Sequence, residues 1–365
     1  MRPLRPRYVL PIEVSEEFLK GSNGVLSKYK ITSSINKSIE KYVVPTNSRP
    51  GLTYSGGVDS CAALAVMPGN TVPIFLNRPM RSDSIYDSEA AIISCNSLKE
   101  LGYDVQIIEC DLEYLRNPTG FPSDLANAIP AILLAQKLSL GSISFGTVFE
   151  SAYGIGHEKY NEYELGSHWR FYGTLFRSAG IELSLPVAGI SEVGTSIIVN
   201  KSPLGKYSQS CIRGKWHKPC LKCWKCFRKE LLMKSLYPER NIDIEKMFYA
   251  PEVQIRLSAY PISHENVIIF SIQRINMSQN KFLKILENRL DTGLELSGLM
   301  KWYGPSNNLI PHKWKNRTRE KILNFLEQMN ENEENIFKKW NMEEFLHKET
   351  TKISHEKLTT NWQNY

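Results

Sequence analysis

The 365-residue sequence has no run of about 18 consecutive apolar residues, the least that a membrane-spanning helix needs. Its opening, MRPLRPRYVLPIEVSEE, is basic, but the short apolar stretch is broken by Pro11 and Glu13. An export signal requires an uninterrupted apolar core at that place, so the chain reads as cytoplasmic. The Walker pattern G-x-x-x-x-G-K-[ST] does not occur, which excludes that kind of phosphate loop. No Ser-His or Cys-His set stands out as a nucleophilic arrangement, and Met1-Arg2 offers no N-terminal cysteine for glutamine hydrolysis. Nor is the composition biased. With 42% hydrophobic, 10% aromatic and 23% charged residues, the chain is neither disordered nor fibrous, and it is long enough for a sizeable core.

One stretch lacks acid altogether. Positions 193–229 contain Lys201, Lys206, Arg213, Lys215, Lys218, Lys222, Lys225, Arg228 and Lys229 but no Asp or Glu. The net charge of +7 is therefore a local property, and the remainder of the chain is slightly acidic. A basic surface of that kind suits an anionic ligand or partner. The same stretch holds four of the seven cysteines, Cys211, Cys220, Cys223 and Cys226, spaced C-x8-C-x2-C-x2-C. An odd cysteine count in a chain without an export signal argues against a disulfide framework. Four thiols so close together form the ligand set of a closed tetrahedral Zn²⁺ site, with an iron–sulfur cluster as the alternative. Lys222, Trp224 and Lys225 between them do not fit plain burial, and His217 is a spare ligand. Cys61, Cys95 and Cys110 are expected to pack as core residues.

From Gly51 onward, short apolar strands alternate with helices. Strands are predicted at 51–54, 72–76, 105–110, 143–148 and 183–187, and helices at 61–66, 84–101, 125–138 and 191–199. That alternation predicts an α/β fold with a parallel sheet covered on both faces, and ligands beyond the strand carboxyl ends. The strand at 51–54 runs into Tyr54-Ser55-Gly56-Gly57-Val58-Asp59-Ser60 and then a helix. Gly56 and Gly57 allow a tight backbone that turns N–H groups onto an anion, and the helix adds its positive end. Ser55 and Ser60 add hydroxyls. Asp59 repels phosphate by itself, so its sensible role is to hold Mg²⁺ against the phosphates. Read without its setting, Ser-Gly-Gly is also an ordinary turn with Asp59 near a helix cap.

SGGVDS resembles the pyrophosphate loop of the N-type ATP pyrophosphatases, which cleave ATP to AMP and pyrophosphate while adenylating a substrate. The four-cysteine spacing, with Arg228 just beyond, looks like the zinc motif of one branch, the 7-cyano-7-deazaguanine synthases (QueC-like proteins). The resemblance covers roughly 51–232. It implies an adenine-nucleotide alpha-hydrolase-like (Rossmann-like) sheet, with a zinc module and a mainly helical C-terminal extension. It implies ATP, Mg²⁺ and Zn²⁺ as cofactors, with Tyr54, Ser55, Gly56, Gly57, Val58, Asp59 and Ser60 at the nucleotide. Asp59 and Ser60 would be the catalytic pair, and Cys211, Cys220, Cys223 and Cys226 would hold the metal. The reaction it implies is adenylation of a deazapurine carboxylate such as 7-carboxy-7-deazaguanine, then conversion to an amide and a nitrile.

Two positions depart from the family. Asp124-Leu-Ala-Asn-Ala128 stands where the family has Gly-Arg-Asn, and Glu192 stands where it usually has lysine. Losing two cations from a phosphate site changes its contacts, so the fold transfers further than the substrate does. The expected divisions are an N-terminal extension over 1–50, the ATP pyrophosphatase part over 51–205, the zinc module over 206–235 and the extension over 236–365. A mildly helical segment is expected at 33–42, strand or buried helix at 253–275, an amphipathic helix at 281–290, and disorder in the last dozen residues. Lys313, Lys315, Arg317, Arg319 and Lys321 make a basic stripe for a protein or nucleic-acid partner, or simply a solvated helix face. The added length resembles that of QueC-like proteins recruited to bacterial anti-phage systems, where the chemistry is directed at a partner. No membrane partner is expected, and a homodimer is left open. Two other readings stand beside this one: a tRNA thiolase of the same ATPase class, and a non-catalytic nucleotide-sensing or nucleic-acid-binding module.

Overall fold

Strands β1 (Arg7–Val9) and β2 (Thr32–Ser34) pair in parallel around the helix Glu16–Leu26. The computed structural model describes residues 7–10, 13–81, 86–115, 117, 119, 124–157, 159–166, 168–275 and 281–363; residues 1–6, Pro11 and Ser84 lie outside them. The helix expected at 33–42 is absent. Asn23 holds the chain extended there, accepting from the Ser33 N–H at 2.6 Å and the Ser33 hydroxyl at 3.0 Å, and donating to the Ser33 carbonyl.

The expected α/β fold with a parallel sheet is present. Strands β3 (Arg49–Thr53), β4 (Val72–Asn77), β5 (Gln106–Glu109), β6 (Leu140–Ser144) and β7 (Glu182–Ser184) lie in the order β5-β4-β3-β6-β7, all parallel. Every residue of β6 is buried, as a central strand covered on both faces must be. The sheet order reverses between β3 and β6. That switch point opens a crevice at their carboxyl ends.

Sequence and structure differ in detail. The strand expected at 143–148 sits three residues earlier. It ends at Ser144, and at Gly146 the chain runs so close to the neighbouring helix start that a Cβ there would stand 3.1 Å from the Asp59 carbonyl carbon and the Ser60 nitrogen. The helix expected at 125–138 is divided into a 3₁₀ turn, Asp124–Ala128, and a short helix, Ile129–Leu134. Pro130 explains the break, since it cannot donate within a continuing helix. The segment at 253–275 is helical, as Pro251–Leu257 and Glu265–Ile272, the latter buried throughout. Of the last dozen residues, where disorder was expected, those up to Gln363 continue the helix Glu349–Gln363, and the final two lie outside the described residues. Cys61 and Cys95 are buried as expected, but Cys110 is only half-buried.

Buried apolar side chains form one contiguous cluster from Leu52 to Leu358. The C-terminal helices therefore share the interior of the α/β part. The helix His312–Leu323 lies on the helix Val58–Val66, where Lys321 Nζ donates to the Met67 carbonyl at 2.5 Å. Lys313 Nζ reaches the Thr46 carbonyl and both oxygens of Ser48 at 2.7–3.0 Å. Two cations of the basic stripe are thus internal fasteners. Among the described residues, no helix is long and apolar enough to cross a membrane.

Candidate active site

The loop after β3 follows from its residues. Gly56 has φ +72°, and a Cβ there would press on Ala91 and Ser94. Gly57 is the N-cap of the helix Val58–Val66 and supplies no side-chain cap, so part of the first turn's N–H charge is left for a ligand. Ser55 and Ser60 bond to each other through their hydroxyls at 3.1 Å, and the Ser60 hydroxyl also donates to the Gly57 carbonyl. Tyr54, Ser55, Asp59 and Ser60 line a cleft of about 580 Å³ at the switch point. Gly56, Gly57 and Val58 do not. The segment leading to the cysteines covers them, with Gln209 N–H on the Gly56 carbonyl at 2.8 Å and Val58 N–H on the Ser210 hydroxyl at 3.2 Å. Tyr54 turns its hydroxyl inward to Ser94 Oγ at 2.7 Å and Cys61 Sγ at 3.1 Å. Burial pushes the Cys61 thiol up to about 12, which makes it a packed hydrophobe rather than a sulfur carrier.

The four cysteines converge. One sulfur from each of Cys211, Cys220, Cys223 and Cys226 lies within 4.8 Å of the others, and Cys220 and Cys226 are 3.8 Å apart. That spacing suits one tetrahedral ion with metal–sulfur bonds of about 2.3 Å. Backbone N–H groups of Cys220 and Cys226 point at Cys211 Sγ and Cys223 Sγ, at 3.3 and 3.4 Å, as donors to thiolates that bind metal commonly do. His217 is not in the group; its ring lies 4.3 Å from that of Trp216. Cys211 and Ile212 also form one wall of the cleft. The wall is fastened across the mouth by Asp87 N–H on the Ile212 carbonyl at 2.7 Å, and by Lys215 between Asp87 and Glu89.

Cys223 and Cys226 sit at the start of the helix Trp224–Leu236. One turn further on, that helix presents Arg228 and Lys229 to the cleft side. Arg228 Nη1 is 2.8 Å from Glu192 Oε1, and Lys229 Nζ is 3.3 Å from Glu192 Oε2 and 3.4 Å from Asp59 Oδ1. The positive charge missing at position 192 is thus supplied from a different helix. Burial works against the Glu192 charge, but Lys229, Arg228 and His264 outweigh it and hold the carboxyl far below the usual range. Burial likewise opposes the Lys229 charge, yet Asp59 and Glu192 raise its pKa. Thr195 Oγ1 donates to Asp59 Oδ1 at 2.9 Å.

Behind this cluster lies Glu150, fully buried, which accepts from the Glu192 N–H at 3.1–3.2 Å and from Asn266 Nδ2 at 3.0 Å. Burial first, and the Glu192 charge second, push its carboxyl up to about 8, so it holds a proton at neutral pH. His264 closes the group, with Nδ1 3.2 Å from Glu192 Oε1. Burial and then Arg228 lower it to about 4, so the imidazole is neutral. Sequence reasoning missed Glu150, Thr195, His264, Asn266 and Gly146. Only the unusual Glu192 pointed toward them.

With that geometry in place, comparison with known proteins is brief. A family of unknown function (DUF6395) matches residues 171–341, which includes Glu192, the cysteines, Arg228, Lys229 and His264. No curated protein matches the chain. Among solved structures, the chain is similar to the U34-tRNA thiolase NcsA from Methanococcus maripaludis with its [4Fe-4S] cluster. The identity is 14%, the TM-score 0.31, and the alignment covers 60% of this chain and 74% of that one.

Proposed function

We propose that the chain is an ATP-dependent ligase that adenylates a carboxylate, releases pyrophosphate, and passes the acyl group to a nitrogen nucleophile. The observation that carries this is the set Ser55, Asp59 and Ser60 at the start of the helix Val58–Val66, which lines the cleft at the sheet's switch point together with Lys225 and Arg228. Thr195 and Lys229 hold Asp59 Oδ1, which leaves the other carboxylate oxygen for Mg²⁺ bound to the phosphates. Lys225 and Arg228 line the same cleft and suit the charge of a leaving pyrophosphate. The four sulfurs lie within 4.8 Å of one another, a fit for one ion, whereas each iron of a cubane cluster would carry its own thiolate at a separate corner, further apart. Zinc is therefore the metal this reading places there, as the support for the helix bearing Arg228 and Lys229.

A deazapurine carboxylate such as 7-carboxy-7-deazaguanine is the substrate favoured by the paired loop and cysteine motifs. The chain outside 51–232 suits an enzyme directed at a protein or nucleic-acid acceptor, as in a bacterial defence system. Efficient conversion of the free acid and ammonia to the free nitrile, with no partner present, would remove the motive for that part. The thiolase alternative draws support from Cys211, which lines the cleft, and a thiolated product on addition of sulfide would favour it. ATP labelled at the α- and γ-phosphates, incubated with the acid, decides the main reading. AMP and pyrophosphate are expected; ADP and phosphate would overturn it. Asp59→Asn should slow pyrophosphate release by about 100-fold while the protein stays folded.

A further inference from the structure

His264 lies beyond the stretch that resembles the ATP pyrophosphatases, and nothing in the adenylation step calls for it. Its backbone is left-handed, φ +58° and ψ +40°, at the N-cap of the helix Glu265–Ile272. Histidine makes no capping bond there. Serine, threonine, asparagine or aspartate would serve that helix better, and a non-glycine residue in this conformation carries a conformational cost. A residue that is poor for the backbone and idle as a cap has its value in the side chain.

That side chain is oriented. Nδ1 is buried 3.2 Å from Glu192 Oε1 without making a hydrogen bond, and the side chain, 22% exposed, lines the cleft. Arg228 and Lys229 keep Glu192 charged from the opposite side. The other carboxylates lining the cleft are each taken by a cation: Asp59 by Lys229, Asp87 by Lys215, Glu113 by Arg78. Among the described residues lining the cleft, His264 is the one imidazole. A carboxylate beside an imidazole stabilises the imidazolium once a proton arrives on the other side.

We infer that His264, positioned by Glu192, is the proton acceptor in the second half-reaction, in which a nitrogen nucleophile displaces AMP. The inference rests on the adenylation reading. The nucleophile's nitrogen bonds to the acyl carbon of the acyl-adenylate, and the bond from that carbon to the phosphate oxygen breaks. AMP leaves with the electron pair. The proton on the attacking nitrogen passes to Nε2, and the resulting imidazolium faces Glu192. Negative phosphates in the cleft favour that charge.

Two variants test this in the full-length protein. His264→Asn and His264→Gly both tolerate a positive φ, so the helix start is preserved. The probes are ATP with 7-carboxy-7-deazaguanine for pyrophosphate exchange, and the same mixture with ammonium chloride for amide formation. The expected result is exchange within a few-fold of wild type, while amide formation falls by about 100-fold or more. Added imidazole should restore part of the amide formation in His264→Gly. Amide formation at the wild-type rate would overturn the inference, as would a parallel loss of both reactions. Absence of exchange in the wild-type protein would instead overturn the adenylation reading itself.

Discussion

Replacing Glu150 by glutamine tests the electrostatics at the heart of the cleft. A carboxyl held protonated when folded, up to about 8, ionises freely once the chain unfolds. Between the usual carboxyl range and about pH 8, the unfolded state therefore binds fewer protons than the folded state. Stability falls as pH rises through that window and levels off above it. One such group contributes a slope of about 1.4 kcal/mol per pH unit, or about 3–5 kcal/mol across the window. Glutamine has the same shape and can still accept from the Glu192 N–H or Asn266 Nδ2, but it cannot ionise. Relative to wild type, Glu150→Gln should thus gain stability steadily from about pH 5 to about pH 8. Urea unfolding of both proteins at several pH values measures this directly, since an unchanged slope lets midpoints be compared. A stability difference that stays constant across the window would show that Glu150 is ionised in the fold, and the reasoning would fail.

Three further outcomes follow from geometry already described. Gly146→Ala places a methyl 3.1 Å from the backbone of Asp59 and Ser60, so the loop must shift, and kcat/KM for ATP should fall on the order of 10-fold. Removing the metal with a strong chelator, or changing Cys223→Ser, should lower melting sharply, because structural zinc supplies about 10 kcal/mol or more to folding. Metal analysis should give one zinc per chain without visible colour, and a brown protein would exclude zinc. Arg289, fully buried, pairs with Glu265 through bonds of 2.9 and 3.3 Å and reaches His355 Nδ1 at 3.1 Å. Arg289→Ala leaves Glu265 buried without its cation and should cost about 3–5 kcal/mol, read by denaturant unfolding.

The features legible in the sequence were those carried by neighbours along the chain. The strand–SGGVDS–helix unit, the alternation around it and the C-x2-C-x2-C run each fall within a few residues, and local rules read them. The contacts that complete the site span far greater distances: Asp59 meets Thr195 and Lys229, and Glu150 meets Asn266. No periodicity announces such meetings. Glu192 looked like a lost cation because its partners, Arg228 and Lys229, arrive on a helix whose start is fixed by Cys223 and Cys226. The 33–42 segment shows the reverse error, where local propensity gave way to the bonds from Asn23.

The distance along the chain between the loop and its closing residues also sets a clock. From Ser60 to His264 a ribosome must add about 200 residues, which at ordinary rates takes roughly 10 to 40 s. For most of that interval the nascent chain carries the SGGVDS loop before Arg228, Lys229 and His264 exist. Asp59, and later Glu192, therefore stand without their balancing cations until the helix Trp224–Leu236 has been made and has docked. The charge balance of the cleft is thus completed late, by residues made long after the loop that they close.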